Sequence, residues 1–171
     1  MVWEPRTYRK HADAGLVTFE VVVGETDLQV SAERDLTGQT IAAVSALRAE
    51  LERYLALHPR FGESFAPVEA DDSAPELVRA MAEAGAAAGV GPMAAVAGAI
   101  AERVARALAA SSAEVIVENG GDLYFIGAEP RRALIVAGDS PLSGAVALAV
   151  EPRDFPVAVC TSSGRVGHSV S

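Results

Sequence analysis

Alternation between apolar and polar positions opens the chain. Val17–Val23 and Asp27–Glu33 are rich in β-branched residues, and Gly24, Glu25 and Thr26 join them in a link short enough for a hairpin. After Thr37 the period lengthens. Ile41, Val44, Leu47, Leu51, Tyr54 and Leu55 recur at helical spacing. Pro59 ends that helix near His58, because the residue before a proline is driven out of helical geometry. Residues 60–74, with Gly62, Pro67, Glu69, Asp71 and Asp72, read as a loop. A second helix then runs to about Ala86, with Ser73 as its capping hydroxyl and Pro75 at an early position. Gly89-Val90-Gly91-Pro92 separates it from a third, Met93–Ala109, whose Val96, Ile100, Val104 and Leu108 stand four apart.

The pattern then returns to short strands: Glu114–Val117, Leu123–Ile126, Ala133–Ala137, Val146–Val150 and Val157–Thr161. Strands, then helices, then strands predict an α+β fold, with helices packed on one face of a largely antiparallel sheet. A length of 171 residues suits one domain with a sizeable core. The apolar content is dominated by alanine and valine, so the layers must approach closely.

Charge narrows the partners. The net charge is −9 and no basic stripe forms, which argues against nucleic acid. The most apolar stretch, Ala84–Ile100, is broken by four glycines and Pro92 and makes a poor membrane span. No apolar run follows the charged N-terminus, so a cytoplasmic protein is expected. Cys160 is the only cysteine, which excludes an intramolecular disulfide. The small-residue helix Met93–Ala109 could pack against a second subunit to form a homo-oligomer.

Three glycine-marked turns are candidates for chemistry. At the first, Gly91 and Pro92 open a helix whose free N–H groups could face a phosphate or carboxylate, although an ordinary interhelical turn has the same spacing. The second is Glu118-Asn119-Gly120-Gly121-Asp122, which reads either as a hairpin or as a ligand turn. Its two carboxylates would repel without a cation or donor nearby. In the third, Cys160 to Ser169, Ser162, Ser163, Gly164 and Arg165 could form an anion-cradling nest, with His168 as acid, base or ligand. The alternative is a solvated loop following a buried structural cysteine. Without a G-x-S-x-G elbow, a Ser–His–Asp hydrolase is disfavoured.

The wording and order of these turns, at Gly89–Gly98, Val117–Tyr124 and Cys160–Ser171, resemble an uncharacterised bacterial and archaeal family related to ApbE. ApbE proteins proper are Mg-dependent FAD:protein FMN transferases. The resemblance implies an ApbE-like, T-fold-like architecture over residues 1–171 and FAD or FMN as cofactor. It places Gly98 in the helix motif, Gly120-Gly121-Asp122 in the GGD turn, and Ser163-Gly164 with His168 in the last segment. Ala97 stands where the transferases have lysine, and Glu102 where they have aspartate. Their magnesium-binding positions would fall beyond Ser171, so the resemblance also implies that a C-terminal portion is lacking.

Together these readings predict a nucleotide-like ligand held by Gly91, Pro92, Gly98, Asn119, Gly120, Gly121, Asp122, Ser162, Ser163 and Gly164. Cys160 and His168 are the catalytic candidates. Two other classes stand beside it: sulfur transfer or redox chemistry through Cys160, and a non-catalytic sensing or scaffold protein.

Overall fold

The computed structural model describes residue 9, residues 15–137 and residues 139–160. Seven strands and four α-helices are present among them: β1 (Val17–Val23), β2 (Thr26–Ala32), α1 (Thr37–Leu57), α2 (Pro59–Glu63), α3 (Glu76–Ala88), α4 (Val96–Leu108), β3 (Val115–Asn119), β4 (Asp122–Ile126), β5 (Arg131–Leu134), β6 (Ala147–Val150) and β7 (Val157–Cys160). The chain has an α+β fold. Its main sheet has the order β1-β2-β3-β4-β7 with every neighbouring pair antiparallel, and β5 and β6 form a separate two-stranded ribbon.

Sequence alternation explains which face the helices cover. Leu28, Val30 and Ala32 of β2 pair with Asn119, Val117 and Val115 of β3, so these residues share one face. Against that face lie Ile100, Ala101, Val104, Ala105 and Leu108 of α4, all buried. Ala101 and Ala105 are wholly buried, and their small side chains let α4 sit close to the strands. α1 covers β1 beside it through Val44, Leu51 and Tyr54. The outer helix α3 buries Leu77, Val78 and Met81 chiefly against α1, α4 and the turn before α4, forming a further layer rather than lying on the sheet.

Several boundaries differ from the sequence reading, each for a local reason. Thr40, not Ile41, faces the core of α1, with its hydroxyl donating to the Leu36 carbonyl at 3.0 Å; Ile41 is exposed. Residues 59–63 are helical because Pro59 suits a first helical turn and Phe61 is buried there. Ser73 does not cap α3. Its hydroxyl and N–H both engage the Asp71 carboxylate, and α3 starts at Glu76. The third helix begins as a 3-10 turn over Pro92–Ala95. Strand β5 starts two residues earlier than expected, where Glu114 holds Arg131 at 2.8 Å.

Gly91 fixes how the α3–α4 turn packs. Its N–H donates to the Phe65 carbonyl at 2.8 Å, and a Cβ at this position would lie 1.8 Å from the Ser64 carbonyl oxygen. Two stretches of backbone therefore touch where no side chain fits. Gly91→Ala is expected to lose about 1–3 kcal/mol or more, since the obstruction is main chain and cannot swing aside. A thermal melt should show a midpoint several degrees lower; an unchanged midpoint would mean that the loop at Ser64 yields freely.

Candidate functional site

The second turn is a hairpin, and it docks onto a helix. Asn119 pairs with Asp122 across a two-residue loop, and Gly120 and Gly121 have φ of 64° and 104°, the left-handed values that a type I′ turn requires at both positions. The Asn119 side-chain amide donates to the Ala97 carbonyl at 3.0 Å. The Asp122 carboxylate accepts from the Gly98 N–H in the first turn of α4. A carboxylate is favoured there, where unpaired N–H groups and the helix dipole carry partial positive charge.

The two carboxylates of the hairpin are stabilised differently. Glu118 lies on the sheet face away from the helices, where Arg9 reaches it. The Arg9 Nε and Nη2 atoms stand 2.8 and 2.7 Å from Glu118 Oε2. Arg9 Nη1 donates to Asp27 Oδ1 at 2.6 Å and Nη2 to the Asp27 carbonyl at 2.8 Å. The other Glu118 oxygen accepts the Gly121 N–H at 2.8 Å, so one carboxylate fixes both the turn and the Arg9 segment. Burial opposes the Arg9 charge, but Asp27 and Glu118 outweigh it and hold the guanidinium above its ordinary value.

Among the described residues Asp122 has no such cation. Burial pushes its carboxyl up, the nearby Glu118 charge adds to the rise, and the Gly98 N–H opposes it. Cys160 is the cross-strand partner of Asp122, which puts both on the helix side of the sheet. The thiol is exposed, correcting the alternative of a buried structural cysteine. One end of the sheet thus brings together Ala97, Gly98, Asn119, Asp122 and Cys160.

The other candidates fall elsewhere. Gly91 and Pro92 are buried, and the Gly91 N–H is committed to Phe65. Glu102 lies one turn farther along α4, bonded to Arg106 at 2.8 Å and to the Tyr124 hydroxyl at 3.4 Å. Ser162, Ser163, Gly164, Arg165 and His168 lie outside the described residues. A shallow open groove lined by Arg106, Ala109, Ile126, Gly127, Phe155 and Pro156 sits at the opposite end of β4 from Asp122 and offers neither thiol nor carboxylate. Among the described residues no three His, Cys, Asp or Glu side chains converge to hold a metal ion. No single described helix is long and apolar enough to cross a membrane. Sequence reasoning did not single out Arg9 as a site residue; the signal was the pair of carboxylates at the two ends of so short a turn, which called for a cation or donor nearby.

These features define an antiparallel α+β protein with a Gly-Gly hairpin docked on a helix N-terminus. The chain belongs to the family described as AbpE bacteria, whose family model matches residues 9–171. It is 41% identical over 155 residues to a UPF0280 protein of Methanocella arvoryzae, covering 90% of this chain and 63% of that relative. A UPF0280 protein of Methanopyrus kandleri is 42% identical over 161 residues, covering 91% of this chain and 63% of the relative. One from Methanocaldococcus jannaschii is 46% identical over 126 residues, covering 72% and 51%. The chain therefore spans about three-fifths or less of the length of these curated relatives.

This family corrects the assignment suggested by the turns. The matching family is distinct from the FAD:protein FMN transferases, and the relatives carry only the UPF0280 name. The structure gives a physical reason why the motif wording misled. Gly91 serves a backbone contact and Gly120-Gly121 a tight turn, so these residues answer to the fold.

Two predictions follow from the carboxylates. Because Asp122 is held above its ordinary value, the folded state favours its protonated form, and stability is lost as pH rises through the carboxylate range. Asp122→Asn should therefore gain stability relative to wild type as pH rises through that range. The gain should vanish near pH ~3, where Asp122 is protonated in folded and unfolded chains alike. Urea midpoints at the two ends of the range check the sign. Arg9→Met leaves Glu118 without its guanidinium at a side chain only 9% exposed. A loss of about 3 kcal/mol is expected, mostly recovered in the double variant with Glu118→Gln; equal losses in the single and double variants would refute the coupling.

Proposed function

We propose that the sheet end at Asp122 binds a small nucleotide-like ligand, with a flavin the first compound to test. The observation that carries this reading is the Asp122 carboxylate, half-buried at the start of α4 and pushed up by desolvation and Glu118. Carboxylates set apart in this way concentrate at functional sites. A ligand hydroxyl or ring N–H would supply Asp122 with a second donor beside the Gly98 N–H. The exposed Gly120 would let a flat ring lie against the main chain. Gly98 leaves only ordinary contact distance, 3.7 Å, between its missing Cβ and Asp122 Oδ2. Gly91 and Pro92 then act at one remove, by seating the turn that leads into α4.

A second reading is favoured by the exposure of Cys160. A thiol open to solvent beside a carboxylate and a helix start could act in sulfur transfer or redox chemistry. A non-catalytic sensing or scaffold role would use the same site without the thiol. We place the protein in the cytoplasm, with neither nucleic acid nor membrane as partner; its net charge of −9 weighs against a nucleic-acid partner.

Titration of the purified chain with FAD, FMN and ATP, read by calorimetry and flavin fluorescence, tests the first reading. Binding is expected to weaken at least about tenfold in Asp122→Ala, the loss of one charge-assisted hydrogen bond. Failure of all three compounds to bind, or undiminished binding by Asp122→Ala, sinks it. Retention of activity in a Cys160→Ser strain removes the thiol reading.

A further inference from the structure

The face of the main sheet away from the helices carries one polar row. Glu20 pairs with Gln29 and Gln29 with Glu118, so these three side chains stand in line across β1, β2 and β3. Asp27, two residues from Gln29, shares the face. Arg9 lies over the row and contacts every one of these side chains. Its carbonyl accepts from Gln29 Nε2 at 3.1 Å, and its Nη1 stands 3.7 Å from Glu20 Oε1. The guanidinium fork closes on Asp27 and Glu118 at a side chain only 6% exposed. A lysine, a single point charge, could not meet both carboxylates and the Asp27 carbonyl at once.

From this row one line of contacts reaches the other side of the sheet. Glu118 stands just before the hairpin loop with its two oxygens divided. Oε2 takes the Arg9 fork, and Oε1 takes the Gly121 N–H. Gly121 immediately precedes Asp122, and at a φ of 104° it has no side chain of its own to hold the loop. A guanidinium that fixes the Glu118 carboxylate therefore pins the loop one residue ahead of Asp122.

We propose that Arg9 is a positioning residue for the Asp122 site, acting through Glu118 from the opposite face of the sheet. This role rests on Asp122 being a ligand-binding group. Two effects travel by the same route. The fork and the Gly121 N–H hold the Glu118 carboxylate in place, and the guanidinium charge offsets the repulsion between Glu118 and Asp122. Other groups face the pair from each neighbouring element. Asp27 and Glu20, from β2 and β1, share the Arg9 charge with Glu118. On the helix side α4 gives Asp122 the Gly98 N–H and, one turn on, presents Glu102 bonded to Arg106, while β7 places Cys160 across from it. Losing Arg9 exposes Asp122 to the full charge of Glu118; losing the Glu118 charge relieves it.

A pH titration followed by proton–nitrogen NMR reads the two carboxylates separately, through the Gly98 amide for Asp122 and the Gly121 amide for Glu118. Glu118→Gln keeps an oxygen for Gly121 and Arg9 but no charge, and its Gly98 profile should move to lower pH than in wild type. In Arg9→Gln the two profiles taken together should move to higher pH, since the carboxylates titrate as a pair. The same Arg9 change made in the Glu118→Gln chain should leave the Gly98 profile where Glu118→Gln set it. Arg9→Lys keeps the charge and loses the fork, so its Gly121 amide should exchange with solvent several-fold faster. An unmoved Gly98 profile in Glu118→Gln overturns the proposal. So does an Arg9→Gln shift of that profile that persists undiminished without the Glu118 carboxylate, or, where Arg9→Gln does not fold, an unchanged Gly121 exchange rate in Arg9→Lys. None of these readouts uses a ligand, so flavin binding at Asp122 and the role of Arg9 stand or fall separately.

Discussion

The sheet and its central helix are joined at one end by two hydrogen bonds of opposite sense. Asn119 gives a proton to the Ala97 carbonyl, and Asp122 takes one from the Gly98 N–H. The hairpin between β3 and β4 thus sets where α4 begins along its own axis. With that origin set, Ile100, Val104 and Leu108 descend at helical spacing onto Val115, Val117 and Tyr124. A shift of one residue at Gly98 would turn the whole apolar stripe by about 100° and expose it. The site and the core therefore share one constraint.

A second constraint comes from the far face of the sheet. Glu118 is nearly buried, and an unpaired carboxylate there would be costly. Arg9 and the Gly121 N–H satisfy it from two directions, one distant in sequence and one three residues away. The Gly121 bond stiffens the loop on which Asp122 sits. Asp122 feels Glu118 through space as a like charge, which adds to the rise that burial imposes on its carboxyl.

Much of the fold was legible because it rests on periodicity. The strand pair β1–β2, the long helix α1 and the stripe of α4 follow directly from apolar spacing, as does the α+β order. The errors sit where side chains compete for backbone. Ser73 looked like a helix cap but answers to Asp71, and Thr40 enters the core by returning its hydroxyl to Leu36. At the site, the hairpin was plain from Asn119-Gly120-Gly121, but its docking on α4 was not, since no local pattern records which helix a turn will meet. The pairing of Cys160 with Asp122 depends on strand order, which spacing cannot supply. The family resemblance misled because glycines required by turns and close contacts look the same as glycines that admit a ligand.

The antiparallel seam between β2 and β3 has a consequence in time. The bond from the Glu33 N–H to the Ser112 hydroxyl closes a span of 79 residues, and all four helices lie inside it. At about 5–20 residues per second, synthesis leaves the finished β1–β2 hairpin waiting roughly 4 to 16 s for its neighbour. Throughout that interval Leu28, Val30 and Ala32 have a strand on the β1 side alone. The emerging α1, at 21 residues the longest helix described, packs against β1 and so joins that hairpin before the edge on which the sheet is later completed has its partner.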